Sequence, residues 1–414
     1  MADIAFDEAL SKAVAAATLP QHTKRVPLDA ALSYVLAEDI IVQKNLPSFD
    51  NSAMDGYAYR YEEKENPLKI VHTIFAGDTP QPQLQKNECY KIMTGAQVPS
   101  DADTIAPFEK CEVNEDEVSV PHNLPLGANL RKKGEEVCVG EILLHQGVEL
   151  QSSHIALLAA QGIMEVKVYE KLSIAVVSSG DELKEPWEEA NEDEIYNANG
   201  FGVVALLREH GFAANYKGKI PDDFAKTKAF LETLLEYDVI ISTGGVSKGE
   251  ADFLTKGYAA LGVEELFHGV RLKPGHPVMM GKTPKNFIIA LPGNPLTTLV
   301  VAFLLALPVL RKLQGMQQIY HTPTVAKLAS SMQFRGKRTT AILGTIQEGS
   351  FSPTRGGKVG SGMLTPLCES NAIAFFDETI SSVEEGAMIK VVSWPNTLWS
   401  KRFDTIYKKD DNLS

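Results

Sequence analysis

The sequence predicts a multidomain fold of α/β and β structure, with a doubly wound α/β domain in its second half. The chain has 414 residues, more than one compact core usually contains, so two to four domains are expected. From residue 171 strand patterns alternate with helix patterns, which indicates βαβ crossovers and a parallel sheet. Residues 46–145 and those after 320 instead carry short β-prone runs between Gly and Pro residues, which predicts two β domains.

The N-terminal part is predicted to be helical before the first β domain begins. Apolar spacing predicts helices over residues 4–17 and 28–38. Runs such as LKIVHTIFAG and CYKIMTG then predict short strands. The helix SSHIALLAAQG follows and is expected to end at Gly162, because glycine is favoured just beyond a helix.

The α/β part is predicted element by element from its alternating texture. Strands are expected at LSIAVVSSG, FAANYKGKI and DVIISTGG, and helices at NGFGVVALLREHG, DDFAKTKAFLETLLEY and EADFLTKGYAALG. An apolar hairpin lies between the turns KPGHP and LPGNP, and an apolar helix follows it. After residue 320, four β-prone runs predict a small barrel or sandwich.

Charge and composition disfavour several classes of protein. The formal net charge of −13 argues against nucleic acid or an anionic membrane surface as the main partner. The most apolar stretch, residues 296–310, is too short to span a membrane and is predicted to be a buried helix. The four cysteines form no CxxC pair, and the N-terminus resembles an amphipathic helix rather than a signal peptide, so a cytoplasmic protein is expected.

Two glycine-containing loops follow predicted strands, where ligands of open α/β sheets bind. These loops are SSGDEL and STGGVSKGEAD. Their glycines allow backbone N–H groups to face an anion, and Ser247 and Lys248 add donors. Glu182 and Asp252 would hold a divalent cation such as Mg²⁺ beside that anion. The alternative is that both loops are tight turns with solvated acids.

A second candidate anion site lies at the turn LPGNP. Asn294 is a suitable N-cap and Pro295 a suitable first residue for the apolar helix that follows. A helix start beside a glycine favours an anion, and upstream Arg271 and Lys273 add positive charge. Plain helix capping explains the same residues without a ligand.

The first β domain carries three further candidate segments, FDNSAMDGYA, KIMTGA and NLRKKGEE. An Asx-turn explains Asp50 well and Asp55 only in part. Thr94 stands beside a turn glycine. The third segment sets Arg131, Lys132 and Lys133 before Glu135 and Glu136, and such a charge run is usually a solvated face.

In chain order, FDNSAMDGYA, MTGA, LRKKGEE, SSGDEL, STGGVSKGEAD, KPGHP and LPGNP resemble the MoeA-type molybdopterin molybdenumtransferases, a family that includes the C-terminal domain of gephyrin. The resemblance covers nearly the whole chain. It implies an elongated helical linker domain of residues 1–45 and 145–170, interrupted by a β domain of residues 46–144. A molybdopterin-binding α/β domain of residues 171–318 and a C-terminal β-barrel-like domain of residues 319–414 complete the implied fold.

The resemblance also implies a reaction and a site. Molybdate is inserted into adenylylated molybdopterin, AMP is released with the help of Mg²⁺, and the site lies between the subunits of a homodimer. A molybdopterin adenylyltransferase is the implied upstream partner. The implied catalytic residues are Asp55, Thr94, Glu182, Asp222 and Asp252, with Glu182 and Asp252 as metal ligands. The implied substrate-binding residues are Arg131, Glu136, Ser179, Gly180, Gly244, Gly245, Ser247, Lys248, Arg271, Lys273, Pro292, Gly293, Asn294, Pro295 and Ser361.

The chain departs from the family pattern at several positions. His276 replaces a lysine of KPGKP, and Glu136 replaces an aspartate. Lys248 replaces the second valine of the family motif GVSVG. A family lysine falls on Gly269, and Arg271 is expected to supply its charge. These changes leave open how the anion charge is shared and whether molybdate or tungstate is preferred. Two other functions also stay open: a scaffold on the same fold, and molybdopterin adenylyltransferase activity.

Overall fold

The N-terminal and middle segments of the chain pair with each other to form one unit. The computed structural model describes residues 3–18, 22–80, 82–221, 223–246 and 253–395. The strand Thr23–Pro27 pairs antiparallel with Glu165–Tyr169, and Ile40–Ile41 pairs with Ile142–Leu144. The helix Ser152–Ala160 ends before Gly162, whose φ is 74°. This pairing is the arrangement that the family resemblance implies for an interrupted linker domain.

The prediction of a helix over residues 28–38 is wrong. Only Leu28–Ala30 form a short 3₁₀ turn, and Ser33 has a φ of 61°. Val35 and Leu36 are instead bridged to Glu149 and Val168. Backbone pairing with the returning segment therefore overrides the apolar spacing.

The first β region folds as a half-barrel around two small apolar cores. Its six-stranded sheet runs, in spatial order, Thr104–Pro107, Gly56–Tyr59, Glu88–Ile92, Leu68–Ile74, Glu117–Ser119 and Glu112–Asn114. A separate two-stranded ladder joins Asn51–Ser52 to Leu130–Arg131. That ladder brings the segments FDNSAMDGYA and NLRKKGEE together.

The α/β region contains a six-stranded mixed sheet. Its spatial order is Ala213–Ile220, Ser173–Ser179, Val239–Thr243, Phe287–Leu291, Met279–Lys282 and Glu264–His268. The first four strands are parallel, and the last two are antiparallel to their neighbours. The parallel sheet predicted from the alternating strands and helices is therefore confirmed for those strands, and the predicted hairpin between KPGHP and LPGNP adds the antiparallel pair Met279–Lys282 and Phe287–Leu291.

Helices cover both faces of this sheet, which confirms the doubly wound prediction. They span Asn199–Glu209, Phe224–Thr233, Phe253–Ala260 and Pro295–Leu313, the last with a π-helical turn at Ala302–Ala306. The first and last pack on one face, together with the N-terminal helix Phe6–Ala16. The other two pack on the opposite face. In the described chain, Pro295–Leu313 is the single helix long and apolar enough to cross a membrane, and 83% of it is buried, as in a core helix.

The C-terminal region forms a closed five-stranded barrel. Its strands are Thr324–Leu328, Thr339–Gln347, Ser350–Pro353, Ala372–Phe376 and Met388–Ser393. Pairing of Thr339–Gln347 with both Ser350–Pro353 and Ala372–Phe376 closes the ring. The strand Leu272–Lys273, from the KPGHP segment, adds to this barrel at Thr339 and Thr340. The α/β and barrel regions are therefore tied by backbone pairing, and the predicted α/β and β fold class is confirmed.

Candidate active site

Three loops meet at the carboxyl edge of the parallel strands. Ser178 and Leu291 lie on either side of Thr243 in register, and Gly244 N–H donates to the Leu291 carbonyl at 3.1 Å. Gly244 has a φ of 80°, and a Cβ there would lie 2.3 Å from the Ser179 carbonyl oxygen. A Cβ on Gly293 would lie 3.5 Å from the Gly244 Cα. The loops SSGDEL, STGG and LPGNP thus pack backbone to backbone, and there is no room for a side chain at Gly244.

The carboxylate of Glu182 lies beside Gly180, in the loop SSGDEL. A Cβ on Gly180 would lie 2.9 Å from both Glu182 carboxylate oxygens, and the Glu182 side chain is exposed. Gly245 also has a left-handed backbone conformation, with a φ of 63°. The predicted residues Asp222, Ser247, Lys248 and Asp252 lie outside the described residues. In the described ranges, no group of three or more His, Cys, Asp and Glu side chains is arranged to hold a metal ion.

The turn LPGNP is joined to the C-terminal region at the start of its helix. Asn294 is the N-cap and Pro295 the first helical residue, but the Asn294 side chain makes no capping hydrogen bond. Thr298 Oγ1 instead donates to the Pro292 carbonyl at 2.6 Å. Leu296 N–H donates to the carbonyl of Ser361 at 3.1 Å. The fold therefore brings Ser361, more than 60 residues along the chain, to this turn.

Two asparagines that the sequence analysis did not single out form hydrogen bonds with the loops at the carboxyl edge of the sheet. Ser178 Oγ donates to Asn197 Oδ1 at 3.1 Å, and Thr243 Oγ1 donates to Ser178 Oγ at 3.1 Å. Asn199 Nδ2 donates to the Gly293 carbonyl at 2.6 Å, while its Oδ1 is buried without a partner among the described residues. The segment YNANG directly before a predicted helix is the signal that would have found them.

A buried histidine also supports the loop after Val239–Thr243 through a hydrogen bond. The His268 Nε2–H group donates to the carbonyl of Val246 at 3.0 Å. A carbonyl only accepts, so this contact fixes the proton on Nε2. His268 ends the edge strand Glu264–His268, which lies three strands away from Val239–Thr243 in the sheet, so this contact could not be read from the sequence.

The two basic residues beside the KPGHP turn have different surroundings. Arg271 forms a two-point ion pair with Glu378 at 2.8 and 3.1 Å, and its third contact is the carbonyl of Asp3. Lys273 is exposed and has no ion-pair partner in the described part of the chain. The guanidinium of Arg271 therefore ties this turn to Glu378 and to the N-terminal segment, and its supply of the charge of a family lysine at Gly269 stays a prediction.

His276, the other departure in this turn, also contacts the N-terminal segment. Its Nε2 forms a short hydrogen bond with the carboxylate of Asp3. His276 and Arg271 thus fasten residues 3–4 to the KPGHP turn, next to the backbone bridge between Ile4 and Val270. A histidine serves here as part of a joint between segments.

The half-barrel contributes a second cluster centred on Asp55 and Thr94. Thr94 donates twice to Asp55 Oδ1, from its backbone N–H at 2.7 Å and from Oγ1 at 2.8 Å. These bonds, the backbone one first, lower the pKa of the Asp55 carboxyl. Both residues are exposed, and Asp55 Oδ2 has no hydrogen-bond partner among the described residues. The pair therefore presents an ionised carboxylate oxygen to solvent.

The charge run beside this cluster is internally paired. Arg131 Nε donates to Glu135 at 2.6 Å, and Lys132 Nζ donates to Asp50 at 3.0 Å. Burial alone would raise the pKa of Asp50, but the Lys133 N–H bond and the Lys132 ammonium outweigh it, so the pKa is lowered. Glu136 is exposed, and its negative charge helps to raise the pKa of Arg131, although Glu135 has the larger effect. The run is thus an ordered ion-pair network rather than a freely solvated face.

The two clusters belong to separate regions of the chain. In the described residues, no hydrogen bond or ion pair connects residues 46–144 with residues 171–318. The half-barrel instead continues into the linker unit through its own strands. The structure therefore brings together Ser179, Gly180, Glu182, Gly244, Gly293 and Ser361 as one group, and Asp55 and Thr94 as another.

The carboxyl edge of an open α/β sheet is where such folds bind ligands, and the start of a helix beside it favours anions. Three family models match this chain along its length. They are "MoeA N-terminal region (domain I and II)" at residues 4–162, "Probable molybdopterin binding domain" at residues 175–312 and "MoeA C-terminal region (domain IV)" at residues 325–394. The chain belongs to the MoeA family.

Individual relatives agree over almost the full length. The chain is 33% identical to a molybdopterin molybdenumtransferase of Haemophilus influenzae, over 94% of this chain and 98% of the relative. It is 32% identical to one from Nostoc sp., over 91% and 89%. The crystal structure of a MoeA protein of molybdopterin biosynthesis from Pyrococcus horikoshii is similar, with a TM-score of 0.81, 28% identity, and coverage of 95% of this chain and 100% of that one.

Proposed function

We propose that this protein is a molybdopterin molybdotransferase that inserts molybdate into adenylylated molybdopterin and releases AMP. The observation that carries the proposal is the floor of three backbone-packed turns, with the Glu182 carboxylate beside Gly180 in one of them, which suits a bulky phosphate ester. The names of the full-length relatives support the same substrate class. Molybdate is taken up by the dithiolene of the substrate, and hydrolysis of the pyrophosphate bond releases AMP.

Each group of residues has a distinct part in this reaction. The glycine turns and Lys273 bind the phosphates, with Ser247 and Lys248 as further donors. Asp55 accepts the proton of the attacking water through its unpartnered Oδ2, while Thr94 keeps the carboxylate ionised and oriented. Water attacks phosphorus, the bond to the AMP oxygen breaks, and AMP departs. Arg131 and Glu136 remain substrate-binding candidates of the half-barrel, and Asp222 remains a catalytic candidate.

Magnesium is part of this proposal. Mg²⁺ is usually bound by one or two carboxylates together with phosphate oxygens, so the exposed carboxylate of Glu182 fits this role without a preformed cage. Glu182 and Asp252 would hold the ion, which would neutralise charge on the phosphate oxygens. The remaining steps depend on side chains of the chain itself.

A homodimer completes the site in this proposal. The absence of hydrogen bonds or ion pairs between described residues 46–144 and 171–318 supports a cleft in which Asp55 of one protomer faces Glu182 of its partner. The domain limits 1–45 with 145–170, 46–144, 171–318 and 319–414 belong to the same proposal. A cytoplasmic location is supported by cysteines that are all free.

The direct test is an assay of purified protein with adenylylated molybdopterin, molybdate and Mg²⁺. We expect AMP release together with active molybdenum cofactor, and a loss of both when Mg²⁺ is chelated. Consumption of ATP without AMP release from the adenylylated substrate would instead indicate an adenylyltransferase. No turnover combined with stoichiometric capture of a peptide partner would indicate a scaffold.

The Thr94 contact makes a prediction about pH. Thr94→Val removes the Oγ1 bond to Asp55 and keeps the backbone bond, so the pKa of Asp55 should rise toward its usual value. A carboxylate that must be ionised then loses its charge at higher pH. The acid limb of the pH profile for AMP release should therefore move to higher pH in the variant, with the rate at alkaline pH much less affected. An unchanged acid limb would contradict a role for the Asp55 charge.

A further inference from the structure

An exposed tryptophan lies on a loop that leaves the candidate active site and returns to it. Trp187 is 72% exposed, whereas Trp394 is buried and donates its indole N–H to the Leu367 carbonyl. The loop is anchored at both ends by backbone bonds, from Ile195 N–H to the Glu182 carbonyl at 2.9 Å and from Asn197 N–H to the Lys184 carbonyl at 2.8 Å. The loop that carries Trp187 is therefore fastened to the residues that form the sheet edge.

Aromatic rings behind Trp187 form a built support. The ring of Phe201 meets Trp187 edge to face, with centroids 6.0 Å apart and planes at 86°. Phe201 in turn packs on Tyr216, with centroids 4.9 Å apart. The Tyr216 hydroxyl donates to Glu185 and accepts from Asn197 Nδ2 at 2.7 Å. We call Trp187 and Phe201 the aromatic platform; Phe201 is 37% exposed beside it.

Hydrogen bonds between side chains connect the platform to the glycine-lined floor. Asn197 contacts Ser178 at the end of its strand, and Asn199 holds the carbonyl of Gly293. Phe201 stands two residues after Asn199, in the first turn of the helix Asn199–Glu209. The platform is thus connected to the glycine turns through Tyr216, Asn197 and Ser178, without being part of the floor.

The charge of the loop restricts what the platform accepts. Residues 183–196 contain six acidic residues and one lysine. Such a surface repels phosphate, molybdate and an anionic dithiolene, so it disfavours the pterin end of the substrate. A neutral base separated from its phosphate by ribose avoids that repulsion, and aromatic side chains stack on nucleic-acid bases.

We infer that Trp187, supported by Phe201, forms a stacking platform for the adenine of the adenylylated substrate. The inference rests on the proposed function and specifies its nucleotide subsite. Adenine lies against the aromatic rings, the acidic loop keeps the phosphates away, and the pyrophosphate extends to the glycine turns and Glu182. The platform therefore selects the adenylylated substrate over molybdopterin itself.

The test compares two ligands that share a phosphate and differ in the base. AMP and ribose 5-phosphate are titrated calorimetrically into wild-type protein, Trp187→Leu and Trp187→Tyr. Loss of a base–aromatic stack should weaken AMP binding about tenfold in Trp187→Leu and leave ribose 5-phosphate unchanged, and the tyrosine variant should retain most of the affinity. Tyr320→Leu, which removes another exposed aromatic ring far along the chain, is the matched control and should bind AMP normally.

The outcomes separate this inference from the proposed function. Wild-type affinity for AMP in Trp187→Leu would overturn the platform and leave the transferase proposal standing. A variant that loses affinity for unadenylylated molybdopterin but not for AMP would place the pterin at the rings and also overturn it. Equal losses for AMP and ribose 5-phosphate would indicate a distorted loop rather than stacking. A wild-type protein that binds neither adenylylated molybdopterin nor AMP would contradict both proposals.

Discussion

Replacing Asp55 by asparagine should lower the rate of AMP release by about 10²–10⁴-fold, the usual range for a positioned proton acceptor. Asparagine has nearly the same shape and can still accept both hydrogen bonds from Thr94 through its amide oxygen. The variant should therefore fold normally and bind substrate, while it lacks the negative charge that takes the proton. The loss should appear in kcat, with KM changed little.

Asp78→Asn is a suitable control for this prediction. Asp78 also lies in the half-barrel, and its carboxylate accepts a backbone N–H bond from Phe75 at 2.8 Å. It belongs to neither cluster of the candidate site, so its replacement should leave AMP release near the wild-type rate. If Asp55→Asn were as active as Asp78→Asn, the role assigned to Asp55 would be wrong.

Gly244→Ala should disrupt the sheet edge more than any other single methyl group added there. The new Cβ would lie 2.3 Å from the Ser179 carbonyl oxygen, and the residue has a φ of 80°. Overpacking costs about 1–3 kcal/mol. A left-handed backbone at a residue with a side chain costs about 1–2 kcal/mol. The sheet edge must therefore move or its region must unfold. We expect a lower thermal midpoint and loss of most AMP release.

Gly262→Ala separates the effect of the steric clash from the effect of the left-handed backbone. Gly262 has a similar φ of 75°, but an added Cβ there meets nothing within 4 Å. This variant should show only the smaller backbone cost and retain activity. Equal midpoints and equal activities for the two variants would show that the contact between Gly244 and Ser179 does not shape the site.

The elements of the α/β region were predictable because each has a strong local pattern. The strands Ser173–Ser179 and Val239–Thr243 each contain an unbroken apolar stretch, IAVV and VII, and the helix Asn199–Glu209 ends before Gly211, whose φ is 82°. Residues 28–38 were mispredicted because Val35 and Leu36 are buried by pairing with a segment more than 100 residues away. Local spacing contains no information about such a partner.

The glycines and acids of the candidate site could be predicted from the sequence. The residues that hold them in place by hydrogen bonds and ion pairs were harder to predict. Motifs located Glu182, Gly244 and Asp55, since these residues lie on loops with distinctive composition. The ion pair of Arg271 could not be predicted, because its partner Glu378 lies in the C-terminal barrel and is distant in sequence. Asn199 was missed because its importance lies in one contact to the Gly293 carbonyl, which only the folded chain reveals.

The central claim is that acidic groups of two protomers complete one active site, and subunit mixing tests it most directly. Asp55→Asn and Glu182→Gln proteins, each inactive alone, are unfolded together, refolded and assayed for AMP release. Random pairing makes about half of the dimers mixed, each with one intact site of two, so recovery of about a quarter of the wild-type activity is expected. A mixture of Asp55→Asn and Thr94→Val should recover nothing beyond the activity of its components, because both changes affect the same half-site. No recovery from the first mixture, with mixed dimers verified by mass, would contradict the claim and place the whole site within one chain.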